Sequence, residues 1–80
     1  MTTDIVHEVQ ELVARIAKIP LPAPDVDIYT AGLASVDALE LLVELEDRFG
    51  VTIPDDRFVT GRTSSQLAAI VTELSSGAAS

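Results

Sequence analysis

From Ile5 onward the chain places apolar residues at helical spacing. Val9, Leu12, Ile16 and Ile19 follow, joined by Val6 and Val13, until Pro20 stops the run. This periodicity returns twice more along the chain, and it constrains the fold more than any other feature. Nowhere does an apolar–polar alternation last long enough to name a strand. The first stripe predicts a helix of roughly four turns, capped by Thr2 or Thr3, with Asp4 near its positive end. His7 lies on that helix beside Glu8 and Glu11 and reads as a solvated surface residue.

The stretch "PLPAPDVDIYTAGLA" cannot be helical through Pro20, Pro22 and Pro24. It reads as an ordered loop whose Ile28, Tyr29 and Leu33 return to the core. Ser35, a favoured N-cap type, then opens a second helix expected to run to Phe49, with Gly50 as its stop. Asp37 in its first turn and Arg48 in its last both match the helix dipole. In "VTIPDDRFVTGR", Val51 and Ile53 read as core anchors, and Pro54 introduces a short helical turn from Asp55 to Val59 that Gly61 ends. "TSSQ", Thr63 to Gln66, forms a capping box for a final helix whose stripe is Leu67, Ile70, Val71 and Leu74. The closing "SSGAAS" has no apolar anchor. The expected architecture is all-α: a small four-helix bundle of three main helices and one short one. The domain is expected to span residues 1–74, with 75–80 as a disordered tail.

A chain of 80 residues is one small domain; at this size folding buries only about 60% of the surface of the unfolded chain. The chain has no cysteine and a single histidine, which excludes disulfides, thiolate zinc sites and most nucleophilic triads. No metal site and no enzymatic activity are expected. With 13 acidic residues against 5 basic and a net charge of −8, the chain repels nucleic acid and anionic membranes and favours basic partners. Its 48% hydrophobic content is too high for a disordered acidic chain. No apolar run spans a membrane, and the acidic "MTTDIVHEVQ" is not a secretory signal. The expectation is a monomeric cytoplasmic domain, and the opening methionine points to a free-standing protein.

The second helix divides sharply at about 100° per residue. Ala38, Leu39, Leu41, Leu42, Leu45 and Phe49 share one arc and read as its core face, with Glu46 at the margin. Opposite them lie Val36, Asp37, Glu40, Val43, Glu44 and Asp47. Glu40 and Glu44 form a like-charge pair, which costs about 0.2–0.5 kcal/mol, and the sequence offers no obvious neighbour to offset it. An acidic face with two valines along its centre reads either as an ordinary solvated surface or as a docking surface for a basic partner.

Three roles compete for Ser35. The base rate favours a plain N-cap. A catalytic nucleophile is rejected, because "GLASV" lacks the second glycine of a nucleophile elbow and His7 is the only possible base. The third role is covalent modification by an anionic group, which would meet the unpaired N–H groups and positive end of the helix start.

The stretch "GLASVDALELLVELEDRFGVTIPDD" resembles the heart of the acyl carrier protein family. That family has a G-x-D-S-L motif, then a helix carrying LExxFG, then IP with acidic residues. "TSSQLAAIV" is similar to the family's final helix, and the resemblance covers residues 28–74. It implies that Ser35 carries 4′-phosphopantetheine, installed from coenzyme A by a phosphopantetheinyl transferase, with an acyl or aminoacyl group held on the arm as a thioester. It also implies loading ligases and synthases with basic patches as partners, in fatty-acid, polyketide or related biosynthesis. The family's recognition helix corresponds to Val36, Asp37, Glu40, Val43, Glu44 and Asp47.

The chain departs from the family pattern at Ala34, where an aspartate is usual, and at Val36, where a leucine is usual. The first departure removes a contact the transferase commonly uses. The "IYTAGLAS" lead-in is more like the specialised stand-alone carriers, aminoacyl carriers among them. The alternative function is an unmodified helical module that binds a basic partner through the same acidic face. Leu42, Ile53, Phe58 and Ile70 could bound a cargo cavity but read first as core residues.

Overall fold

The structure is a computed structural model that describes residues 4–78, with side chains described through Ser75. Five helices follow in order: α1 (Ile5–Ala17), α2 (Ile28–Ala31), α3 (Ser35–Phe49), α4 (Asp55–Phe58) and α5 (Ser64–Ala78). No strand occurs among the described residues, and the only bridge there is an isolated antiparallel pair, Asp27 with Thr63. The expected helical bundle is therefore present, with α1, α3 and α5 as its main members. None of the described helices is long and apolar enough to cross a membrane.

The core follows the periodic stripes. Val9, Leu12, Val13 and Ile16 of α1 meet Leu41 and Leu45 of α3 and Leu67, Ile70 and Val71 of α5. Burying each such side chain contributes about 1.5–3 kcal/mol. Ile28 and Leu33 are buried as expected, and so are Ile53 and Phe58; Val51 is half-buried. Helix α1 packs on both α3 and α5, so the long connection after it must cross the end of the bundle. That connection is tied down by polar contacts from the helices it passes. Gln10 Nε2 donates to the Pro22 carbonyl at 2.8 Å, and the Ser65 amide donates to the Pro24 carbonyl at 3.1 Å.

Several local expectations need correction. Asp4, whose carboxylate accepts from the His7 amide, is the N-cap of α1; Thr2 and Thr3 lie outside the described residues. The loop before Ser35 holds a further helix, α2, because Asp27 caps the Tyr29 and Thr30 amides at 2.9 and 3.2 Å. At α5, Thr63 Oγ1 accepts from the Gln66 amide at 3.1 Å, but Gln66 Oε1 reaches back to Arg62 rather than to Thr63. The box is thereby displaced by one residue. Helix α5 also continues past Leu74 to Ala78, where the sequence offered no apolar anchor; residues 79–80 lie outside the described part.

Leu39 is the clearest departure. It was expected in the core with Leu41 and Leu42, yet it is 68% exposed. The neighbours of α3 cover a narrower arc than the apolar residues occupy, and Leu39 falls beyond its edge. Glu46 does more than intrude at the margin: its Oε2 accepts from the Ile53 amide at 2.8 Å and fixes the chain after α3.

Candidate functional site

Helix α3 begins where Gly32 turns the chain out of α2 with φ 134°, and ends at Gly50 with φ 65°. Glycine reaches both conformations without steric cost. At the start, the N-cap is Ala34, not Ser35. The Ala34 carbonyl accepts from the Asp37 and Ala38 amides, and Asp37 Oδ2 accepts from the Ala34 amide at 3.1 Å. Alanine has no side-chain acceptor, so only Asp37 contributes a side chain to this cap. Ser35 therefore occupies the first helical position, exposed, and capping does not consume its hydroxyl.

That placement has a chemical consequence. The first amides of a helix lack intrahelical acceptors and sit at the positive end of its dipole, which favours an anionic group there. Ser35 presents an exposed primary hydroxyl at this end of a 15-residue helix. A phosphodiester on it would be electrostatically favoured without displacing any capping bond.

Beside Ser35 lies an open cleft of about 430 Å³, bounded by Tyr29, Ala38, Leu39, Leu42, Asp55, Phe58 and Val59. Its walls are mostly apolar. Of the four residues weighed as cargo-cavity candidates, Leu42 and Phe58 reach this cleft, while Ile53 and Ile70 are buried in the core. Sequence reasoning missed Leu39, Tyr29, Asp55 and Val59 as neighbours of the serine. A signal for Leu39 was available: Ser35, Leu39 and Leu42 stand at i, i+4 and i+7 on one helical face.

The six residues of the acidic face are together on α3, on the solvent side. Val36 and Val43 are 72% and 62% exposed, and with Leu39 they make an apolar strip that Val59, just after α4, extends. Glu40 and Asp47 are exposed, whereas Asp37 and Glu44 are half-buried. Glu44 is not uncompensated: Arg15 of α1 reaches it at 3.3 Å. Arg48 similarly reaches Glu8 at 3.2 Å, so α1 lends one cation to the acidic helix and takes one from it. His7 is exposed and meets Glu11 at 3.5 Å, as the sequence suggested. No group of residues able to hold a metal ion occurs among those described.

The loop that delivers the chain to α3 carries its own electrostatics. Arg62 Nε donates to Asp27 Oδ2 at 2.8 Å, and the guanidinium lies 4.8 Å from the centre of the Tyr29 ring. The hydrogen bond from Arg62, followed by those from the Thr30 and Tyr29 amides, holds the Asp27 carboxyl below its ordinary value of 3.8. Burial raises the Tyr29 phenol above its ordinary value of 10.0, against the opposing pull of Arg62.

A family profile described as "Phosphopantetheine attachment site" matches residues 7–71, which include Ser35 and all of α3. Over 52 residues the chain is 31% identical to the "Aminoacyl carrier protein" of Agrobacterium fabrum. That match covers 60% of this chain and 63% of the relative's length.

Proposed function

We propose, from the premise that this chain belongs to the phosphopantetheine attachment family and is a carrier protein, that Ser35 is its attachment residue and that partner enzymes dock on the exposed face of α3. The family's prosthetic group is covalent 4′-phosphopantetheine, and its members are carriers, not enzymes. When bound, that group supplies a terminal thiol that holds a cargo as a thioester. The chain's own residues hold and present it.

The observation that carries the assignment is the position of Ser35: exposed, first in α3, and relieved of capping by Asp37. Val36, Asp37, Glu40, Val43, Glu44 and Asp47 form the docking face. Its strip of valines supplies apolar contact and its carboxylates attract basic partners, a combination that favours fast and salt-sensitive association. A phosphopantetheinyl transferase installs the arm, and loading and transfer enzymes with basic patches use it.

For the cargo we take the aminoacyl class, on the name of the Agrobacterium relative and on the "IYTAGLAS" lead-in. Fatty-acid and polyketide systems remain the competing pathways. The chain is read as a cytoplasmic monomer that is handed between enzymes.

The test is an intact mass of the protein before and after incubation with coenzyme A, magnesium and a broad-specificity phosphopantetheinyl transferase, with Ser35→Ala alongside. Gain of one phosphopantetheine by wild type alone supports Ser35. No gain with several transferases would move the assignment to an unmodified acidic module and make Ala34 the cause. Supplying the loaded protein with aminoacyl-activating and acyl-activating ligases in parallel then distinguishes the cargo class.

A further inference from the structure

Arg62 lies in the connection between α4 and α5, outside the acidic face of α3, yet it gathers four contacts onto the segment that leads to Ser35. Its Nε donates to Asp27 Oδ2 at 2.8 Å and its Nη2 to Asp27 Oδ1 at 3.4 Å. Its carbonyl accepts from the Ile28 amide at 2.8 Å, and its guanidinium covers the Tyr29 ring. Arg62 is itself held, because its amide donates to Gln66 Oε1 at 2.8 Å.

From Asp27 the contacts run without a gap to the serine. Asp27 caps α2 through the Tyr29 and Thr30 amides. The Leu33 amide donates to the Ile28 carbonyl at 3.0 Å, and Leu33 is buried. Gly32 sits so close to Ile19 that an added Cβ would come within 2.9 Å of its Cγ2. Ala34 is then held by Asp37. A short link pinned at each residue transmits a shift of α2 to the first turn of α3 instead of absorbing it. Tyr29, the residue Arg62 covers, also forms a wall of the cleft beside Ser35.

We propose that Arg62 is a positioning residue for the attachment serine: through Asp27 and Tyr29 it fixes α2, and α2 fixes where α3 presents Ser35. The proposal rests on Ser35 being the attachment residue. Exposed ion pairs contribute little to stability, so the effect lies in placement. Removing Arg62 lowers the turnover of arm installation while leaving the α3 docking face, and hence transferase recognition, intact.

The chain contains one tyrosine and no tryptophan, so near-ultraviolet dichroism reads the immobilisation of Tyr29 alone among those residues. The experiment uses the full chain as wild type, Arg62→Gln, Arg62→Lys and Asp27→Asn. It measures far- and near-ultraviolet dichroism, and kcat and KM for loading from coenzyme A by a broad-specificity transferase. The expected result for Arg62→Gln is an unchanged far-ultraviolet spectrum, a weakened tyrosine signal, KM within about twofold and kcat lower by ~10-fold. Arg62→Lys should fall between, since lysine keeps the cation but not the forked contact. If Arg62→Gln fails to fold, Asp27→Asn is read by the same criteria, because asparagine still caps α2.

Unchanged kcat despite a lost tyrosine signal, or an undisturbed tyrosine signal, would overturn the proposal. So would a rise in KM alone, which would put Arg62 in the docking surface. A wild type that does not load at all would overturn the attachment assignment and this proposal together. A loaded wild type with equally loaded variants overturns only the positioning role.

Discussion

The Ala34 amide donates to Asp37 Oδ2 at 3.1 Å, spanning Ser35 and Val36. The start of α3 is thus held by the acid that follows the serine. Ser35→Ala should then change stability by less than about 0.5 kcal/mol, and Asp37→Ala should cost about 0.5–1 kcal/mol through the lost contact and the unmatched dipole. Urea denaturation of both variants checks this. A larger loss in Ser35→Ala would return the capping role to the serine.

Leu39 and Leu45 are chemically identical residues of α3 with opposite environments, 68% and 0% exposed. Leu45→Ala should cost roughly 2–5 kcal/mol, as large-to-small changes in a packed core do. Leu39→Ala should stay within about 0.5 kcal/mol and act instead on reactions at the Ser35 cleft. Equal losses in thermal or chemical unfolding would contradict the exposed position of Leu39.

Glu40 and Asp47 are exposed on α3, while Glu44 is engaged by Arg15. Glu40→Lys or Asp47→Lys should reduce kcat/KM for arm installation about tenfold at low ionic strength. The deficit should shrink once the Debye length falls to about 3 Å near 1 M salt. The fold should be unchanged. Rates that match wild type at low salt would remove these acids from the docking face.

Asp27 has its pKa lowered by Arg62 and by the α2 amides. A depressed carboxylate contributes stability above its unfolded value and loses it as pH falls through the folded one. The stability difference between wild type and Asp27→Asn should therefore be constant near neutrality and begin to shrink below about pH 3.8. Denaturation midpoints at stepped pH measure it. A difference that stays flat to pH 2 would mean that Asp27 gains nothing from its charge.

Much of this could be read along the chain because its causes are local. The spacing of Val9, Leu12 and Ile16, and of Leu67, Ile70 and Val71, names α1 and α5 before any contact is known. Gly50 announces the end of α3, and the serine with LExxFG and IP marks the carrier pattern. Helix α2 was missed because the prolines before it argue for loop, and its cap Asp27 is stabilised by a partner far along the chain. The altered capping at Ser35 was missed for a related reason: a serine before an apolar helix looks like a cap until the backbone of Ala34 is seen to take that place.

Local rules along the chain establish the helical class, the three main helices and the candidate serine, since periodicity and turn chemistry act over a few residues. That Leu41 is buried and Leu39 is not follows from packing, because periodicity sets the angle of a side chain and packing neighbours set how wide an arc they cover. Only the tertiary structure brought Arg62 to Asp27 and Arg15 to Glu44, pairs separated by 35 and 29 positions. No local rule relates residues so far apart; α1 packing on α3 brings Arg15 to Glu44, and the backbone pairing of the Asp27 segment with Arg62 and Thr63 sets Arg62 beside Asp27.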